Sequence, residues 1–401
     1  MNRWKWLLVG TLALGLRLNY VLSPEGRQPP VADATVYFAM GQNVASGEGL
    51  HDGASYAVRP PGYPLFLGGV FKIAGRSQLA AQGLQILLAL AGLYFIFEIG
   101  AYYFGKEAGL LACLIYAASY DAYIIPATFL SENLYVFLLL ASVYCLLKGS
   151  DLFAGFSMAA LYMTRQEALL FILFALAMLA YLNFRVNFRR IVVILSMLIA
   201  FNAAWIYRNW RIHHRFIPGT TLSDCHLYMS NMYIFQKLGE SGESHILTAP
   251  LPGTSELDMM EANRKTRIEL FRRQPWSRLL LAPFMKLGFF LYPFLPEYDF
   301  TYMLILPFWL MGLYAERRQW RRNYPLYGVF SILAGLLLVF HAVPRYRGPF
   351  YPFMAVFAAA TLLRLWSEGG KRRVAIIAWG VLNAAVLVAA VPVRHLVKSI
   401  L

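Results

Sequence analysis

The residues best placed for chemistry are arginines in positions that membrane topology does not explain. Arg208, Arg211 and Arg215 lie in RNWRIHHR, Arg345 and Arg347 in PRYRGP, and Arg165 two residues before Glu167 in TRQE. Arg59 precedes Pro60 and Pro61, Arg17 sits inside an apolar run, and Lys286 interrupts another. A guanidinium is planar, permanently charged and able to grip phosphate oxygens in pairs. Several on one face make a pocket for a phosphate, and at headgroup depth a lipid phosphate is the natural ligand. The competing reading pairs each arginine with lipid headgroups or with acids such as Glu132, Glu167 and Asp299.

A base is the second requirement. In VADATVYFAMGQNVASGEG, Asp33, Val36, Tyr37 and Met40 fall at helical spacing, which predicts a short amphipathic helix on the membrane face with Asp33 at its start. Asp33 is either a general base or an ordinary N-cap that accepts amide hydrogen bonds. Glu132 in LSENLYVF stands at the mouth of a helix that Ser131 can cap. Tyr292, Tyr298, Tyr302, Trp276 and Tyr346 can stack on sugar or isoprenoid, or serve as interfacial belt residues.

These residues are carried by an unusual chain. Of 401 residues 59% are hydrophobic, 16% aromatic and only 14% charged, against roughly 25% charged in soluble domains. That excludes a soluble globular enzyme. Apolar runs near the ~18 residues of a bilayer crossing recur from end to end, so the fold class is all-α, a polytopic helical membrane protein. Its three cysteines, Cys113, Cys145 and Cys225, have neither metal nor disulfide spacing.

Spans are expected near residues 6–22, 79–103, 108–123, 133–147, 152–163, 168–184, 191–207, 300–315, 325–341, 350–366 and 374–391, about eleven in all. Arg3 and Lys5 suggest a cytoplasmic N-terminus, and the first run lacks a cleavage site, so it stays as a helix. Basic loops at Lys106, Lys148, Arg185 to Arg190, Arg317 to Arg322 and Lys371 to Arg373 are expected on one side. That parity makes 152–184 a hairpin turning at Thr164 to Glu167. It also lays 279–295 on the outer surface, the alternative being about twelve spans. Residues 1–401 then form one transmembrane domain with two external segments, 23–77 and 208–299, and no soluble C-terminal domain. In the longer segment, Ser255 and Asp258 predict a helix N-terminus, and Arg272 and Arg273 close that helix before Pro275.

Asp33 and Tyr37, RPPGYPLF at 59–66, SEN at 131–133, TRQE at 164–167, Arg208 with Asn209, and RYRGPFYP at 345–352 follow one another in an order that resembles the C-type membrane glycosyltransferases. The chain is most similar to the branch of protein O-mannosyltransferases and lipid A aminoarabinose transferases. The resemblance covers nearly the whole chain, although Gln166 stands where a proline is frequent and many members carry a soluble C-terminal domain.

The resemblance implies an inverting transferase of the plasma (inner) membrane. It would move one hexosyl or pentosyl unit from a polyprenyl-phosphate carrier, such as undecaprenyl phosphate, to a hydroxyl at the external face. Asp33, matching an acid in the family's first external loop, would take the hydroxyl proton. Arg345 and Arg347 would stabilise the departing phosphate, with Arg165, Arg208, Arg59 and Lys286 next in order. Glu132, Tyr37 and Tyr346 would support the site or the acceptor, which is a protein, lipid or polysaccharide. No cofactor is required. A divalent cation could share the phosphate charge, held by His213, His214, Glu132 or Asp33, but adjacent histidines point poorly at one ion. Competing functions are a lipid-linked glycan ligase or polymerase, a flippase of cell-envelope polysaccharide assembly, and a non-catalytic assembly subunit. No nucleic-acid partner is expected.

Overall fold

A computed structural model describes residues 3–235, 247–294, 298–340 and 344–400. Their elements in order are α1 (Arg3–Leu22), α2 (Asp33–Ser46), α3 (Gly62–Ala74), α4 (Gln78–Phe104), α5 (Lys106–Ala117), α6 (Tyr120–Ile124), α7 (Glu132–Lys148) and α8 (Asp151–Thr164). Then come α9 (Ala168–His213), α10 (Ser223–Phe235), α11 (Glu256–Arg273), α12 (Trp276–Leu291), α13 (Phe300–Ala315), α14 (Tyr324–Leu338), α15 (Tyr351–Glu368) and α16 (Gly370–Ile400). There is no strand among the described residues.

The protein is a helical, multi-pass membrane protein. Gln78–Phe104, Ala168–His213 and Gly370–Ala390 are each long and apolar enough to cross a bilayer, and Lys106–Ala117 with Tyr120–Ala127 makes a fourth crossing if the bent pair is one span. Leu7, Leu8, Val374, Val381 and Val388 point outward, as lipid-facing residues do, while the core residues Ile96, Leu139, Phe171 and Phe353 are fully enclosed.

Charge sorts the helices by their ends. At one end, Lys5 meets Glu107 at 3.3 Å, Lys148 meets Glu98 at 2.8 Å, Arg190 meets Asp151 at 2.8 Å, and Arg321 donates to the Tyr181 hydroxyl at 2.9 Å. The opposite end carries α2, α3, α10, α11 and the ionised side chains grouped around Asp33 and Arg165.

Close helix crossings depend on missing side chains. A Cβ on Gly109 would lie 2.5 Å from the Phe97 carbonyl oxygen, and one on Gly312 would lie 2.7 Å from Thr361 Oγ1. These glycines let α5 press on α4, and α13 on α15.

Four expectations are revised. The basic segment 185–190 is helical rather than a loop, because α9 runs through it with a kink at Asn183 (φ −168°, ψ 94°). The Asn183 side chain accepts from Val186 N at 3.2 Å and so caps the second half. The run 108–123 breaks between α5 and α6 by 69°, where the Ser119 hydroxyl donates to the Tyr116 carbonyl. Ser131 makes no side-chain cap on α7.

Lys371 to Arg373, expected in a loop, are likewise helical within α16, while two expected boundaries hold. The turn between α8 and α9 falls at 165–167, and α11 opens with Ser255 Oγ accepting from Asp258 N while Asp258 accepts from Ser255 N at 2.8 Å. The Ser255 hydroxyl, donating to the Asp258 carboxylate at 2.7 Å, and the Ser255 amide together pull that carboxyl below its usual range. α12 buries Ala282, Lys286 and Phe290 at a spacing of four and turns Leu280, Leu281 and Phe284 outward.

Replacing Gly109 with Val should lower stability by about 1–3 kcal/mol through overpacking. A Gly10→Ala control, with nothing within 4 Å of the new methyl, should leave the protein's thermal unfolding in detergent unchanged. Equal melting of the two variants would contradict the crossing.

Candidate active site

The charged end is assembled around RPPGYP. A Cβ on Gly62 would meet Thr164 Oγ1 at 2.7 Å and the Met163 carbonyl at 2.8 Å, so only glycine lets the start of α3 sit on the end of α8. The contact holds Arg59 beside α2. Ala32 takes the cap position of α2 with φ 52° and no side-chain cap bond, and Asp33 follows as the first helical residue. Asp33 Oδ1 accepts from Arg59 Nη2 at 2.7 Å, with the carboxylate 44% exposed and Arg59 only 11%. One carboxylate is thus oriented by a buried guanidinium and open to solvent.

Arg59 is fixed in turn. Its Nη1 lies 3.1 Å from His226 Nε2 on α10, and its guanidinium carbon lies 5.7 Å from the Tyr37 ring centre. Tyr37 is buried, which pushes its phenol up, with Arg59, the Ser131 hydroxyl and Arg165 opposing. Tyr37 therefore stands between the Asp33–Arg59 pair and a second cluster.

That cluster is built on Arg165. Its Nη1 lies 3.2 Å from Glu132 Oε1, its Nε donates to Glu167 Oε1 at 2.5 Å, and Tyr346 and Tyr135 flank it at 5.3 and 5.6 Å. One guanidinium thus bridges two carboxylates from different segments.

Arg208 serves the backbone. It donates to the carbonyls of Tyr56, at 2.5 Å, and Leu50, and to Asn209 Oδ1 at 3.0 Å. Arg347 does likewise, donating from Nε to the Phe290 carbonyl at 2.7 Å, from Nη2 to the Tyr292 carbonyl, and facing Asp299 Oδ2 at 3.4 Å. Burial pulls its guanidinium down, against the opposing pull of Tyr302 and Asp299. These two arginines tie the ends of helices to their neighbours.

Lys286 is different. It is 3% exposed, and its Nζ has no hydrogen-bond partner among the described residues. A buried ammonium without a counter-charge is costly and calls for an anion. α12 packs against α10, which carries the His226 that touches Arg59. The Arg345 side chain lies outside the described residues.

His213 lies 3.4 Å from Glu256, and His214 ends α9 in the left-handed region. No group of three or more His, Cys, Asp or Glu converges among the described residues.

Sequence reasoning missed Glu256, the first residue of α11. Its two oxygens accept from Tyr56 N at 2.7 Å, Ala57 N at 2.9 Å and Thr221 Oγ1 at 2.6 Å, and it is 5% exposed. Two hundred residues separate it from Tyr56, so no local spacing could reveal the contact. His226 was missed for the same reason.

The sequence model of a family described as dolichyl-phosphate-mannose-protein mannosyltransferase matches residues 58–207, which hold Arg59, Glu132 and Arg165. The fold is similar to that of the Archaeoglobus fulgidus oligosaccharyltransferase in its apo form, with 11% identity, a TM-score of 0.56, and coverage of 97% of this chain and 55% of that one. The chain thus spans little more than half the length of that enzyme. ArnT from Cupriavidus metallidurans bound to undecaprenyl phosphate aligns at 13% identity and a TM-score of 0.44, over 90% of this chain and 78% of ArnT. Comparison with curated protein sequences returned no match. The resemblance to the C-type membrane glycosyltransferases read from the sequence is borne out.

Replacing Glu256 with Ala should strand the amides of Tyr56 and Ala57, costing about 1–3 kcal/mol for each buried donor. Limited proteolysis within 48–58 should accelerate accordingly. Unchanged cleavage would show that these bonds do not hold the loop.

Proposed function

We propose that this chain, with its C-type membrane glycosyltransferase fold, moves a single sugar from a polyprenyl-phosphate carrier to an acceptor hydroxyl, inverting the anomeric centre. The observation that carries the reading is the Asp33–Arg59 pair, a half-exposed carboxylate oriented by a buried cation at the charged end of an apolar bundle. The match to a dolichyl-phosphate-mannose-protein mannosyltransferase family over residues 58–207 supports a lipid-phosphate donor.

In the step, the acceptor oxygen forms a bond to the anomeric carbon from the face opposite the phosphate. The acceptor proton passes to Asp33, and the anomeric carbon–oxygen bond breaks with its electron pair going to the polyprenyl phosphate. Arg59 keeps Asp33 aimed through their 2.7 Å contact.

The departing phosphate gains charge and needs a cation that is not already committed. Arg59, Arg165, Arg208 and Arg347 are each engaged with carboxylates or carbonyls. Lys286, with no partner among the described residues, is the better candidate, together with Arg345. Arg165 balances Glu132 and Glu167, and with Tyr346 and Tyr37 shapes the acceptor side. The reaction faces the outer side of the plasma membrane.

Asp33→Asn should lower turnover about 10²- to 10⁴-fold while donor binding survives. Mass spectrometry of lipids co-purifying with this variant should show a polyprenyl phosphate bearing one sugar, enriched over the unmodified protein. A long lipid-linked glycan in both would point instead to a ligase or polymerase. Full activity of the variant would remove Asp33 from the mechanism.

A further inference from the structure

The end of the bundle away from Asp33 contains a cavity of about 170 Å³ between α4, α5, α13 and α15. Its position follows from its walls. Phe104 is the last residue of α4, Ala108 lies in the first turn of α5 beside the Lys5–Glu107 pair, and Glu316 follows the last residue of α13. The volume corresponds to roughly six waters at ~30 Å³ each, the bulk of a small polar headgroup.

The lining is amphipathic in a specific way. Phe104 and Ala108 are apolar, and Gly312 adds no side chain where α13 crosses Thr361 on α15. Two opposite charges share the cavity, Glu316 and Arg364. Glu316 accepts from Asn323 Nδ2 at 3.3 Å, which leaves its carboxylate with acceptor capacity. The Arg364 guanidinium makes no hydrogen bond or ion pair among the described residues and is exposed. Helix ends reinforce the polarity, since α13 ends on its negative pole beside Glu316 and α5 begins on its positive pole beside Ala108.

A small cavity with one negative pole, one positive pole and an apolar wall fits a zwitterion attached to hydrocarbon. An anionic lipid would meet the Glu316 carboxylate, and a sugar would find few hydrogen-bonding groups. We propose that this cavity binds the headgroup of an amine-bearing zwitterionic phospholipid, with the phosphate toward Arg364 and the ammonium toward Glu316. The site is separate from the Asp33 end and goes beyond the proposed transferase reaction.

The test is native mass spectrometry of the full chain after exchange into detergent with equal amounts of phosphatidylethanolamine, phosphatidylcholine and phosphatidylglycerol. The unmodified protein should retain phosphatidylethanolamine over phosphatidylcholine, whose methyl groups block ammonium hydrogen bonds, and over phosphatidylglycerol, which has no ammonium. Glu316→Gln should reduce that preference roughly fivefold, and Arg364→Gln should weaken retention of phosphatidylethanolamine by a similar factor. Thermal unfolding in lipid-free detergent checks that both variants fold. Asp33→Asn should retain the lipid like the unmodified protein, which separates this site from the transferase reading. Equal retention of the three lipids by the unmodified protein, needing no variant, would overturn the proposal. So would an unaltered preference in Glu316→Gln.

Discussion

An ionised side chain inside an apolar helical bundle must find a counter-charge, a row of carbonyls or a ligand, and most of this protein's architecture follows from that constraint. Arg59 orients Asp33, whose side chain is 44% exposed. Arg165 is shared by Glu132 and Glu167, which come from α7 and the turn before α9. Arg347 is satisfied mostly by carbonyls at the end of α12. Except for Glu167, two residues from Arg165, the partners come from separate segments, so these contacts act as connectors between helices that dispersion alone would leave free to slide.

The connectors also divide the labour among cations. Those spent on carbonyls, Arg208 and Arg347, set where the loops begin and end. Arg59, spent on Asp33, sets the direction of a carboxylate. Lys286, buried with its Nζ unpartnered among the described residues, is in an environment that asks for something from outside the chain. Glu256 performs the complementary task for backbone donors, holding Tyr56 and Ala57 immediately before the RPPGYP turn. Gly62 then completes the geometry by admitting α8 where any side chain would collide.

Much of this was legible in the sequence where the determinants are local. The capping box at Ser255 and Asp258, the start of α2 at Asp33, and the turn at 165–167 all follow from spacing and residue type. The helical class followed from composition. What escaped was either a conformational detail or a long-range contact. Six residues rich in arginine look like a loop, yet a single asparagine bend allows the helix to resume through them. Ser131 looks like a cap, but its side chain makes no cap bond on α7. The partners of Glu256 and His226 lie far away in the chain, and no periodicity encodes them.

The second half of α9 is a strut as well as a wall. From the bend at Asn183 to His213 it extends about 45 Å at 1.5 Å per residue. At its base Arg190 is pinned to Asp151, and near its tip Arg208 grips the carbonyls of Leu50 and Tyr56. A tilt of about 5° at the base would carry the tip through about 4 Å over that length. The loop leading into Arg59 would travel with it. The distant ends of the bundle are therefore linked as the two arms of a lever, with an asparagine for its pivot and an ion pair for its clamp.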